Sequence, residues 1–142
     1  MKHVLALTYE PKIHDVRSGK CNQTIRPFAE RKRSKGDLVM FHGWSGRPYR
    51  SKWNWRTPYW KITEVIPITI HQDTVILEPW IIDVEREMEL EDMQELAVRD
   101  GFKNYKEMYQ QFRKMYGKRL DDMVFQIIRW NPTDLNYNIN QN

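Results

Sequence analysis

Three observations predict an α+β fold for this chain. Apolar, strand-like segments are spread along it at Val4 to Tyr9, Leu38 to Trp44, Lys61 to Ile70 and Met123 to Trp130. Before the last of these, two stretches carry apolar residues at helical spacing, Leu90–Met93–Leu96–Ala97 and Met108–Tyr109–Phe112–Met115. The third observation is size: 142 residues, 40% hydrophobic and 30% charged, suit one globular domain with a real core.

The elements follow in order. Pro11 suits the first turn of a short helix from Lys12 to Ser18, with Ile13 and Val16 as its apolar edge. Gly19 ends it, and Asn22 to Pro27 is a short strand containing Thr24 and Ile25. A basic loop, Glu30 to Lys35, leads through the turn Lys35-Gly36-Asp37 into the strand Leu38 to Trp44. Pro67 must bend the long strand Lys61 to Ile70 or place it at an edge. Thr74 to Leu77 is another strand, and Trp80 to Val84 reads as a short strand or a loop. Helices are expected from Glu89 or Leu90 to Arg99, stopped by Asp100-Gly101, and from Tyr105 to Tyr116, ended by Gly117. Residues 1–130 are thus expected as one domain and 131–142 as an Asn-rich, flexible tail.

Composition narrows the function classes. No apolar run approaches ~18 residues, so no membrane partner is expected. The N-terminus lacks a signal-peptide cleavage site, and Cys21 is the only cysteine. A cytoplasmic protein without disulfide, cysteine-bound metal or cofactor is the expectation. The net charge of +4 is uneven: residues 1–63 carry 14 Lys and Arg against 4 Asp and Glu, and the rest carry 9 against 15. A basic half of that strength points to a polyanion such as nucleic acid.

Two stretches carry candidate chemistry. Ser18 to Pro27 gathers Lys20, Cys21, Thr24 and Arg26 at a helix end, where cations and backbone donors converge on an anion or simply face water. Ser45 to Trp60 interleaves Arg47, Arg50, Lys52 and Arg56 with Tyr49, Trp53, Trp55, Tyr59 and Trp60. Cations neutralise phosphates while aromatic and guanidinium planes stack on unpaired bases. Alternatively the tryptophans fold inward with arginine stacked over them. Both readings stay open on the sequence.

The order of elements resembles the ASCH domain family of the PUA-like superfamily. Three segments carry the likeness: Gly19 to Arg26 against the family's G-x-K-x-x-E-x-R, the K-G-D-L-V-M-F of Lys35 to Phe41, and A-V-R-D-G-F-x-x-Y-x-E-M within Ala97 to Gly117. The resemblance implies a small β-barrel of about five to six strands, with a short N-terminal helix and a helix pair before the last strand. The family's lysine falls on Cys21, with Lys20 one place earlier, and its glutamate falls on Thr24. Members resembling an amidohydrolase of N4-acetylcytidine also carry threonine there, with a nearby lysine and a carboxylate before the second helix, here Asp100.

Two functions are therefore expected. In the first, RNA, another single-stranded nucleic acid or a nucleotide is held in a cleft between Gly19 to Arg26 and the helix end at Asp100, with Lys20 and Arg26 pairing with phosphate and Arg47, Arg50, Lys52 and Arg56 extending the track. Tyr49, Trp53 and Trp55 stack on its bases. In the alternative, a modified nucleoside is hydrolysed, Lys20 acting as base on Thr24 or water, Asp100 orienting it and Arg26 or backbone N–H groups holding the oxyanion. A ribonuclease would use the same residues. Cys21 is a rival nucleophile with no histidine beside it in sequence.

Overall fold

The computed structural model describes residues 1–29, 31–44, 47, 50–78 and 86–137. Tyr49, the segment Trp80 to Val84 and residues 138–142 lie outside the described residues. The fold is α+β. Its strands are β1 (Lys2–Ala6), β2 (Gln23–Pro27), β3 (Leu38–Trp44), β4 (Trp53–Arg56), β5 (Trp60–Ile70), β6 (Val75–Leu77), β7 (Arg86–Glu87) and β8 (Val124–Asn131). The helices are α1 (Glu10–Arg17), α2 (Leu90–Arg99) and α3 (Tyr105–Tyr116), with a 3₁₀ turn at Gly117–Asp122. The eight strands share one mixed sheet whose pairings, among the described residues, do not run round into a closed ring. The strand count exceeds the five or six expected because the basic, aromatic stretch supplies β4 and because the two-residue β7 is too short to register as a pattern.

The chain divides into two compact units, one of residues 1–22, 33–64 and 129–142, the other of residues 23–32 and 65–128. In the first, β1 and β3 run parallel, Lys2 opposite Leu38 through Ala6 opposite His42. No hairpin can make a parallel pair, so a long connection carrying α1 and β2 joins them. Residues alternate along β1, burying His3 and Leu5 and exposing Lys2 and Val4. Phe41, Trp60 and Trp130 form the aromatic centre, with the Trp60 and Trp130 rings 7° from parallel and Phe41 4.5 Å from Trp130. Thr57 continues the ladder beyond β4: its N–H donates to Phe41 O and its Oγ1 accepts from the Phe41 N–H.

In the second unit, β6 pairs with the end of β5, Ile68 opposite Leu77. The start of β5 pairs instead with β3 in the first unit, Leu38 opposite Lys61. Pro67, which has no N–H, falls between the stretch paired with β3 and the stretch paired with β6, and its carbonyl accepts from the Glu78 N–H at 3.1 Å. Met93, Leu96 and Ala97 of α2 and Tyr105, Met108 and Phe112 of α3 are buried, whereas Leu90 and Met115, expected on those apolar faces, are exposed. Both sit at helix ends. Asn104 caps α3 by accepting from the Glu107 N–H. Gly101, at φ 97°, provides the left-handed turn that ends α2.

The buried His3 illustrates how the first unit handles an inward polar group. Its Nε2 lies 2.8 Å from Asp37 Oδ2, which also accepts from the Ser34 N–H at 3.0 Å. The His3 bond, helped by Ser34, holds the Asp37 carboxyl below its usual range. A carboxyl whose pKa is depressed by folding contributes stability above its unfolded pKa, and that stability is lost as pH falls through the folded value. Urea midpoints at pH 7 and pH 3 are therefore expected to fall on acidification in the wild type, with a shallower fall in Asp37→Asn. That variant should also be the less stable protein at pH 7.

Candidate functional site

Helix α1 offers two longitudinal stripes. Glu10, Ile13 and Arg17 recur at i, i+3 and i+7, and His14 and Ser18 follow one position round. Lys12 and Val16 are the buried side, so the apolar edge expected at Ile13 and Val16 is rotated, leaving Ile13 half-buried. The Glu10–Ile13–Arg17 stripe, with Leu7, Trp44, Asn54 and Trp55, lines a cleft of about 240 Å³.

The opposite wall owes its shape to a β-bulge. His42 pairs with Arg56 and Gly43 with Trp55, but Trp44 pairs with Trp53, leaving Asn54 as the extra residue. Two residues apart on a regular strand, Trp53 and Trp55 would share a face. The bulge sends them to opposite faces instead. Trp53 stacks on the buried His42 ring at 4.1 Å and 21°, and Trp44 meets the same ring edge-on at 4.8 Å. Trp55 crosses Gly43 so closely that a Cβ there would lie 2.2 Å from its Nε1. Only glycine leaves that space. Above it, the Arg17 guanidinium sits 5.2 Å from the Trp55 ring centroid, a cation–π contact.

The residues singled out from sequence fall into separate groups. Arg47, Arg50 and Lys52 are exposed between β3 and β4, while Arg56 is half-buried. Trp55 is 4% exposed and Trp53 half-buried, so the inward reading holds for both. Neither is an open stacking platform; Arg17 presents the outer plane instead. Tyr49 is not among the described residues. Lys20 is exposed in the first unit, and Cys21 is buried there, its N–H donating to Asp15 O at 2.8 Å.

Thr24, Arg26 and Asp100 belong to the second unit. Thr24 Oγ1 accepts from Arg26 Nε at 3.3 Å, as expected of i, i+2 neighbours on one face of β2. Gln23 points to the other face. Fully buried, its Nε2 donates to Leu96 O and to Asp100 Oδ1, both at 3.1 Å. Gln23 thus engages Asp100 at the end of α2. Arg26 also lies near the Tyr116 hydroxyl, whose pKa burial raises and Arg26 pulls back down.

Sequence reasoning missed Glu10, Arg17, Trp44 and Asn54. The helical spacing of Glu10, Ile13 and Arg17 was a readable signal; the bulge at Asn54 was not. Among the described residues no group of three or more His, Cys, Asp and Glu side chains is placed to hold a metal ion. No helix among them is long and apolar enough to cross a membrane.

No protein-family model matches the chain, and no curated protein does either. Among solved structures it is similar to hypothetical protein PH0355, with a TM-score of 0.52 and 17% identity over 92% of this chain and 100% of that one. At that identity the likeness concerns the fold.

Two substitutions test the local architecture. Gly43→Ala should displace Trp55 and cost about 1–3 kcal/mol, as overpacking does, with a loss of near-UV circular dichroism from the indole. Gln23→Ala should cost about 1–3 kcal/mol in urea denaturation, since it strips a partner from a buried carboxylate.

Proposed function

We propose that the protein is an ASCH-type, PUA-like barrel protein that binds single-stranded nucleic acid or a nucleotide through the cleft between α1 and β4. The observation that carries this reading is the Arg17 guanidinium stacked on Trp55 at the wall of a cleft of about 240 Å³. A guanidinium held against an indole presents its outer face to a ligand, and guanidinium planes stack on bases and donate to phosphates. The volume lies below the ~300–1,000 Å³ of pockets for drug-sized ligands, which suits a single base or nucleoside. Glu10 and Asn54 supply an acceptor and an amide for its polar edge.

Charge supports the same reading. The first unit holds 12 Lys and Arg against 5 Asp and Glu, a net of +7, and the second 11 against 14, a net of −3. Arg47, Arg50 and Lys52, exposed between the cleft-lining Trp44 and Asn54 in sequence, are the further cations of this reading. Hydrolysis of a modified nucleoside, or cleavage of RNA, is the alternative, with Lys20, Thr24 and Asp100 as its candidate residues; Thr24 Oγ1 accepts from Arg26 and Asp100 Oδ1 from Gln23.

The test is titration of fluorescent single-stranded RNA and DNA at two salt concentrations. Binding should weaken with salt, with a logarithmic slope of about 0.7 per phosphate contact on single strands. The Arg47→Ala/Arg50→Ala/Lys52→Ala variant should flatten that slope, and Arg17→Ala should weaken binding at both salts. Absence of binding at low salt would sink the proposal.

A further inference from the structure

Arg17 is shared between two openings. Beside the cleft, on the neighbouring stripe of α1, a second groove of about 270 Å³ is lined by His14, Arg17, Ser18, Leu135 and Tyr137. Its outer wall is the segment after β8. Trp60 Nε1 donates to Thr133 O at 2.6 Å. The Leu135 side chain comes within 3.0 Å of where a Cβ on Gly19 would be, and the Tyr137 ring meets Trp60 edge-on, with centroids 6.5 Å apart. The chain beyond β8 is thereby fastened to the first unit, and it carries Tyr137 to Arg17.

The groove's polar groups are donors. Arg17 contributes its guanidinium, and among the described residues no carboxylate lies within ion-pair distance of it. Burial raises the Tyr137 hydroxyl above its ordinary pKa, Arg17 opposing that rise, so at neutral pH the group keeps its proton. Ser18 donates only a long 3.3 Å bond to Asp15 O and can turn outward. His14 stands exposed at the rim. The end of α1 directs carbonyl oxygens this way, but an eight-residue helix carries only about half a negative charge there, less than the single full charge of Arg17.

We infer that this groove is the phosphate subsite belonging to the base-sized cleft, so that a nucleotide straddles Arg17 with its base on the Trp55 side and its phosphate against His14, Ser18 and Tyr137. The inference rests on the nucleic-acid reading above and adds to it. It makes the segment after β8 part of the ligand site, and it names a nucleoside monophosphate unit as the smallest complete ligand.

The experiment is calorimetric titration of the full chain with the four nucleoside 5′-monophosphates, the matching nucleosides and inorganic phosphate, alongside a single-stranded oligonucleotide. A monophosphate is expected to bind at least tenfold more tightly than its nucleoside. The His14→Ala/Tyr137→Phe variant should lose most of that advantage while binding the nucleoside as the wild type does. Ser18→Ala, on an exposed residue and harmless to folding, should give a smaller loss in the same direction. Oligonucleotide binding with no preference for monophosphate over nucleoside overturns the subsite and leaves the nucleic-acid reading standing. A preference that the double variant retains in full does the same. Failure of oligonucleotide, nucleoside and monophosphate alike overturns both.

Discussion

The contact between Gly43 and the Trp55 indole sets the geometry of the basic unit. Because Gly43 has no side chain, the indole lies across the sheet instead of standing off it, with no room for a Cβ beneath. Its outer face is then level with the end of α1, where Arg17 covers it. The helix, the bulged ribbon and the cleft between them depend on that one close approach. A methyl group at residue 43 would disturb three elements together, since well-packed interiors do not deform locally.

The division of charge gives the arrangement its electrostatic sense. Many surface cations on proteins are answered by neighbouring carboxylates, and Arg129 with Glu64 at 2.8 Å is such a case. Arg47, Arg50 and Lys52 follow one another on an exposed connection with no acid between them in sequence. Repulsion within such a group costs stability, and a polyanion relieves it. The acidic residues gather around α2 instead, where Glu91 and Asp92 occupy the first turn and complement the helix dipole.

Much of the fold was legible in the sequence because its signals are local. The spans of α2 and α3, the Gly101 turn and the Leu38 to Trp44 strand follow from periodicity and glycine placement. The positive φ of Gly36, 93°, likewise sits in the turn expected at Lys35-Gly36-Asp37. The candidate site was legible only in part. Spacing on a strand assigns Trp53 and Trp55 to one face, and an inserted residue that no propensity announces separates them. The family resemblance brought Thr24 and Asp100 into one hypothesis, and a residue that meets Asp100 is Gln23, one place from Thr24 and on the other face of the strand. Arg17 drew no attention because its importance comes from Trp55, 38 positions later in the chain.

The distribution of indoles has a practical consequence. Trp44, Trp53, Trp55, Trp60 and Trp130 all belong to the basic unit, and only Trp80 falls within the sequence range of the other. Intrinsic fluorescence is therefore a nearly one-sided reporter. It follows the environment of the basic unit, while tyrosine-rich α3, with Tyr105, Tyr109 and Tyr116, emits at shorter wavelength. The near-parallel Trp60 and Trp130 rings, 6.4 Å apart, are also close enough for their transitions to couple. A denaturation followed at both wavelengths would show whether the two units melt as one body or in sequence, with no label attached to either.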